Sequence, residues 1–309
     1  MVKKSYIKKS MKSLLGFNFY DIAIYMYVIL FSLICFYPIW YVFLGSINPS
    51  ESVASAPMIL FPDYIPSFRY YKFIFSTPVF TRALFISLTK TLSGSFCSVV
   101  FTSALAYGVS KKKVMGMKTV NLFMIFTMFF GGGLIPTFLL MSQLYLRNTF
   151  LGLIILGFVS TGNFIIMRNY YSYSVVPELE DSALIDGANE IILFFRIVIP
   201  MSMSMLSAIF LFESVGHWND WTTFLIYMDD FKYRPFVYLL KELLTKPKET
   251  ILRGQDYSRS GQLSHSLARM PEAALKYTTI MIAIVPIFTF YPFLQKHFAK
   301  GVLIGAVKE

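Results

Sequence analysis

Apolar runs of about twenty residues recur along the chain between short charged or proline-rich stretches. At a helical rise of about 1.5 Å per residue, a run of that length matches the hydrocarbon thickness of a bilayer. Six segments qualify as spanning helices. The first, about 22–47, reads IAIYMYVILFSLICFYPIWYVFLGSI and carries no charge, with aromatic residues near its ends where amphipathic rings favour the interface. The second, about 81–108, is rich in Ser and Thr and carries Lys90, a pattern suited to a helix packed inside a bundle or lining a path. Lys90 lies close enough to one end for its ammonium to snorkel to water.

The third segment, about 118–140, contains GGGLIP at 131–136, where three glycines and Pro136 should open or kink it. The fourth, about 150–168, places Ser160, Thr161 and Asn163 in mid-membrane. The fifth, about 197–215, and the sixth, about 273–294, flank a long polar connection.

Lys and Arg in the short connections set the orientation. Five lysines precede the first span, and Lys111, Lys112, Lys113 and Lys118 lie between the second and third, whereas the third-to-fourth connection holds only Arg147. Both termini are therefore predicted to be cytoplasmic, with residues 1–21 as an inner N-terminal segment and 295–309 as an inner tail. Residues 48–80 and 216–272 become outer loops, the first held compact by its prolines. Residues 174–196 fall inside.

That inner stretch has neither the composition of a span nor that of a plain loop. Pro177 is a good first helical residue, and Glu178, Glu180 and Asp181 put negative charge at the positive end of a helix. Gly187 should end that helix, since glycine readily takes the left-handed conformation, and a second should start near Asn189 with Ile191, Ile192, Phe194 and Phe195 giving it faces to bury. An interfacial helix on lipid usually carries Lys and Arg, but this one holds five acids against Arg196 alone, so an anionic leaflet would repel it. A cytoplasmic protein partner is the better match.

Composition supports a polytopic membrane protein: 56% of the 309 residues are hydrophobic, 15% charged and 18% aromatic. The net charge of +11 is carried largely by lysines beside apolar runs, so it encodes topology and does not indicate nucleic-acid binding. Cys35 and Cys97 both sit in apolar runs as small hydrophobes, and His217, His265 and His297 lack metal-ligand spacing.

Residues 181–200, DSALIDGANEIILFFRIVIP, resemble the EAA motif of ABC-importer membrane subunits: E-A-A, three residues, G, nine residues, then I-x-L-P. Asp181-Ser182-Ala183 takes the first three positions, Gly187 follows after three more, and Ile197-Val198-Ile199-Pro200 follows after nine. Asp181, Ser182 and Ile199 depart from the pattern, conservatively in charge or size. GHWNDW at 216–221 and YPFLQKHFAKGVLIGAVKE at 291–309 are similar to the carbohydrate-uptake branch, in particular the second permease of maltose-importer-like systems.

The resemblance implies an all-α membrane protein of the type I ABC importer permease fold, with six transmembrane helices and cytoplasmic coupling helices. It implies a heterodimer with a second homologous permease, two cytoplasmic ABC ATPases that hold ATP and Mg, and an outer solute-binding protein; no cofactor is expected on this chain. Glu180, Asp181, Ala183, Asp186, Gly187, Asn189, Phe195 and Pro200 would couple to the ATPase. Gly301 and Gly305 would sit in a tail strand that reaches the ATPase dimer interface, with Glu309 departing from the usual terminal Gly.

Ser160, Thr161, Asn163 and Glu213 are candidates for the translocation path, and helix-to-helix glue is the competing role for such residues. No G-x-x-x-x-G-K-[ST] occurs, so ATP hydrolysis belongs to a partner. Three alternatives stay open on the residues alone: a permease for a peptide or amino acid, a passive channel or secondary transporter, and a membrane-embedded enzyme using Glu213 and His217, which fall at i and i+4 on one helix face.

Overall fold

The computed structural model describes residues 19–48, 61, 65–111, 114–174, 177–245 and 271–306. The regular elements among these are all helical. They are α1 (Phe19–Ile47), α2 (Arg69–Ser76), α3 (Pro78–Ser110), α4 (Met117–Phe129), α5 (Leu134–Gln143), α6 (Phe150–Ile154, prolonged by a 3-10 turn Ile155–Gly157) and α7 (Thr161–Ser174). There follow α8 (Pro177–Ile185), α9 (Glu190–Leu193), α10 (Met203–Asn219), α11 (Thr222–Tyr227), α12 (Phe236–Thr245) and α13 (Glu272–Ala306).

Among the described residues, three continuous stretches are long and apolar enough to span: Tyr20–Ile47, Pro78–Ser110 and Glu272–Thr289. The other three expected spans are broken. Met117–Phe129 and Leu134–Gln143 meet at 118°, Phe150–Gly157 and Thr161–Tyr173 at 52°, and Glu190–Met201 and Met203–Asn219 at 84°. The count reaches six only when each bent pair is taken as one span.

Each break has a local cause. At the first, Gly133 takes a φ of +87°, which glycine alone enters at little cost, so the GGG run turns the chain sharply where a kink was expected. At the second, the freed backbone is satisfied by a side chain of α3. The Thr102 hydroxyl accepts from the Ser160 N–H at 3.3 Å and lies 3.4 Å from the Phe158 carbonyl, to which it donates. A break inside a bilayer needs such a substitute, because no water stands ready to solvate peptide groups. At the third, Pro200 lacks an N–H, and the turns before it open into a π-helical stretch, Phe194–Val198, before one turn at Ile199–Met201. The second short helix therefore runs on to Met201, and the helix of the expected fifth span begins at Met203, not at 197.

The described residues form two compact units, those up to 71 with 271–281 and those from 72 to 245 with 282–306. In the first, α1 lies against the opening turns of α13. The Tyr277 ring meets Tyr41 edge-on at 5.8 Å, and a Cβ at Gly45 would fall 2.4 Å from the same ring, so only glycine permits this approach. In the second, α3 packs along α7 and α10. Its largest core joins Ala106, Tyr107, Phe164, Met167, Leu193, Val198 and Leu206, and a smaller one gathers Met141, Leu153, Phe224, Tyr227 and Tyr238.

Some expectations change. The tail was expected to be a strand, but helix α13 continues to Ala306 and includes Gly301 and Gly305. The connection after the fifth span is folded at its start, with α11 and the amphipathic α12, while 246–270 lie outside the described residues, as do 49–60 and 62–64 of the proline-rich loop. Cys35 is exposed on the apolar surface of α1, outside the packed core.

Candidate functional site

The stretch 177–201 is built as two short helices around one glycine. Helix α8 ends at Ile185, and Gly187 takes a φ of +83°. The Ala188 N–H donates to the Ala183 carbonyl at 3.0 Å and the Gly187 N–H to the Leu184 carbonyl at 3.1 Å. This 6→1 and 5→2 pair is a Schellman closure, which satisfies carbonyls the helix end would otherwise orphan. Asn189 then caps α9, its side-chain oxygen accepting from the Ile192 N–H at 2.8 Å.

The inward face of this hairpin is apolar and small. Ala183, Leu193, Phe194 and Val198 join the core around Ala106 and Tyr107 of α3. The outward face exposes Ile185 (86%), Ile191 (69%) and Phe195 (54%), ringed by exposed Asp181, Asp186 and Glu190. Exposed apolar side chains on a braced support, with acids around them, form one mixed apolar and acidic face. Pro200 lies outside that surface, at the bend.

Glu180 behaves differently from its acidic neighbours. Its carboxylate accepts from the Tyr107 hydroxyl at 2.9 Å and pairs with the Lys111 ammonium, which also stands 4.4 Å above the Tyr107 ring. Beside these groups a cavity of about 410 Å³ opens, lined by Tyr107, Lys111, Glu190, Ile191, Phe194 and Phe195 among others.

A second polar constellation lies between α3, α6, α7 and α10. Lys90 does not snorkel: it is 0% exposed, and its ammonium donates to the Asp220 carboxylate at 2.6 Å and to the Asp220 carbonyl at 2.8 Å. Burial alone would push the Asp220 carboxyl up. The Lys90 charge and hydrogen bonds from Lys90 and Thr223 outweigh it and hold the group down at about 2. The opposite carboxylate oxygen accepts from the Thr222 hydroxyl and the Thr223 N–H, so Asp220 also satisfies the first turn of α11.

One turn before Asp220 along α10, His217 is clasped between two glycines. A Cβ at Gly94 would lie 2.8 Å from its Cε1, and one at Gly157 2.7 Å. Its Nε2 stands 3.9 Å from Glu213, whose other carboxylate oxygen accepts from the Asn163 amide at 2.5 Å. Leu153, Leu156, Gly157, Glu213, Gly216, His217, Asp220 and Thr223 line a cavity of about 260 Å³. Of the four path candidates, Glu213 lines this cavity and Asn163 orients it. Ser160 instead closes the α6–α7 break, and Thr161 lies 3.4 Å from the Thr127 hydroxyl of α4.

Lys90 with Asp220, and His217 with its two glycines, were not paired from sequence. A charge within a Ser/Thr-rich apolar run was the visible signal for Lys90, but its partner lies 130 positions away.

No family model matches the chain. Among characterised proteins, it is 36% identical over 289 residues to the polygalacturonan/rhamnogalacturonan transport system permease protein YtcP of Bacillus subtilis (strain 168), covering 94% of this chain and 98% of the relative. It is 25% identical over 296 residues to the arabinooligosaccharides transport system permease protein AraQ of the same organism, covering 94% and 97%. Among solved structures, it matches a chain of a bacterial ABC transporter involved in the import of the acidic polysaccharide alginate. That match has a TM-score of 0.78 and 26% identity and covers 92% of this chain and 99% of the other. The α-helical architecture, the glycine-hinged pair 177–201 and these relatives converge: the chain belongs to the family of ABC-transporter permease subunits that serve sugar and oligosaccharide import.

Proposed function

We propose that this permease carries an oligosaccharide or glycan fragment across the cytoplasmic membrane by alternating access, driven through residues 177–195 by ATPase subunits on the inner side. The observation that carries this reading is the braced hairpin. Its buried face of Ala183, Leu193 and Phe194 fixes it to the bundle, while Ile185, Ile191, Phe195, Asp181 and Asp186 face outward, free for a groove lined by apolar and basic groups. ATP and Mg belong to those partners. A second permease of the same family, a solute-binding protein on the outer side and membrane lipid complete the assembly. The lysine distribution supports inner termini.

A cysteine in place of Asp186 should crosslink to the co-purified ATPase during turnover, read as a shifted band on a denaturing gel. Absence of that product, with the complex intact by size, would remove the docking reading.

The cavity at Glu213 supports the path. At about 260 Å³ it lies just under the roughly 300–1,000 Å³ of drug-sized pockets, which suits one sugar ring at a time. A carboxylate in a span defaults to a functional role, and Glu213 offers hydroxyl groups a strong acceptor. A charged hydrogen bond contributes about 1.5–3 kcal/mol, or roughly 10–100-fold. Glu213→Leu is therefore expected to lower uptake by about that factor while the Asp186 crosslink persists. Unaltered uptake in this variant would move the path elsewhere.

A further inference from the structure

Among the acids of α8 whose side chains are described, Glu180 alone turns inward. Asp181 is exposed on the docking face, whereas Glu180 is held by two residues one turn apart at the end of α3, Tyr107 and Lys111. Beside this charged tie, the hairpin packs on the bundle through the apolar Ala183, Leu193 and Phe194. Apolar contacts are non-directional and let surfaces slide, whereas charge-assisted hydrogen bonds fix direction and resist pulling as well as pushing.

Helix α3 is unbroken from Pro78 to Ser110, with no proline beyond its first residue. About 17 residues before Tyr107, hence about 26 Å along the axis, Lys90 makes its buried grip on Asp220 at the end of α10. One stiff helix thus holds the docking hairpin at one end and the cavity-bearing helix at the other.

We propose that Glu180 is a positioning residue for energy coupling: through Tyr107 and Lys111 it fastens α8 to α3, so that α3 carries the displacement of the docked hairpin to the Lys90–Asp220 pair beside the Glu213 cavity. The proposal rests on the reading of 177–195 as the ATPase dock. It gives Glu180 a partner within its own chain, and leaves pairing with the ATPase to Asp181 and Asp186.

The test uses the whole importer in proteoliposomes, with the ratio of ATP hydrolysed to sugar imported and the Asp186 cysteine crosslink as its two readouts. Glu180→Ala should keep the crosslink and raise ATP per sugar about fivefold or more, within the usual range of coupling factors. Tyr107→Phe, which deletes one hydroxyl and little packing, should give a smaller rise of the same sign. The exchanged pair Glu180→Lys with Lys111→Glu should recover at least half of the lost coupling.

An unchanged ratio with less assembled transporter would show that the contact only stabilises the fold, and would overturn the proposal. Loss of the crosslink in Glu180→Ala alone would show that Glu180 shapes the dock itself, which also overturns it. Loss of the crosslink in the otherwise native chain would overturn the docking reading and this proposal with it.

Discussion

Gly187→Val is expected to abolish sugar uptake while the permease still assembles and the outer binding protein still delivers ligand. The reason lies in the backbone. Gly187 holds a φ of +83°, and a Cβ built there meets nothing within 4 Å, so the cost of a side chain is conformational and not a clash within this chain. For an L-residue that conformation costs about 1–2 kcal/mol, and more for a β-branched one, which is enough to unwind the Schellman closure and swing α9 away from α8. Gly187→Asn separates two origins of the effect, because asparagine tolerates the left-handed region. If the bend alone matters, Asn should retain most uptake; if the ATPase groove closes on Gly187, Asn and Val should fail alike. Normal uptake in Gly187→Val would remove the coupling role of the bend.

Lys90→Met is expected to lower stability by about 3 kcal/mol and to stop transport. Stranding one partner of a buried ion pair costs about 3–5 kcal/mol, and the Asp220 side chain keeps 24% exposure, which puts the expectation at the lower end. The second substitution Asp220→Asn should restore much of the lost stability, since it removes the stranded charge while leaving an oxygen to cap the Thr223 N–H. Thermal unfolding in detergent measures both. If Lys90→Met unfolds at the native temperature, the ammonium snorkels to water and the pair does not tie α3 to α10.

Much of the hairpin 177–201 was legible because its signals are local. Pro177 opening α8, the left-handed Gly187 and the Asn189 cap act within four residues, where spacing alone carries the information. The glycine run at 131–133 likewise announced a break. What escaped was long-range or relational. Lys90 read as a helix-end lysine because its distance from the membrane surface was judged along the sequence, and nothing near it named Asp220. The same holds for Gly94 and Gly157, whose role appears only when His217 is between them. The π-helical stretch before Pro200 was missed because helical periodicity cannot distinguish a widened turn, and α12 was missed because it lies within a connection read as polar throughout. The tail was assigned a strand on resemblance alone, whereas its residues to Ala306 continue a helix.

The central claim is that this chain forms part of an ATP-driven path for sugar, and uptake by proteoliposomes containing this permease with the proposed second permease, the ATPases and the binding protein tests it most directly. With a labelled oligosaccharide outside and ATP enclosed, accumulation above the external concentration is expected, falling to background when ATP is omitted and by roughly 10–100-fold when the cavity carries Glu213→Leu. Equal flux with and without enclosed ATP, stopping at equilibrium, would contradict the account.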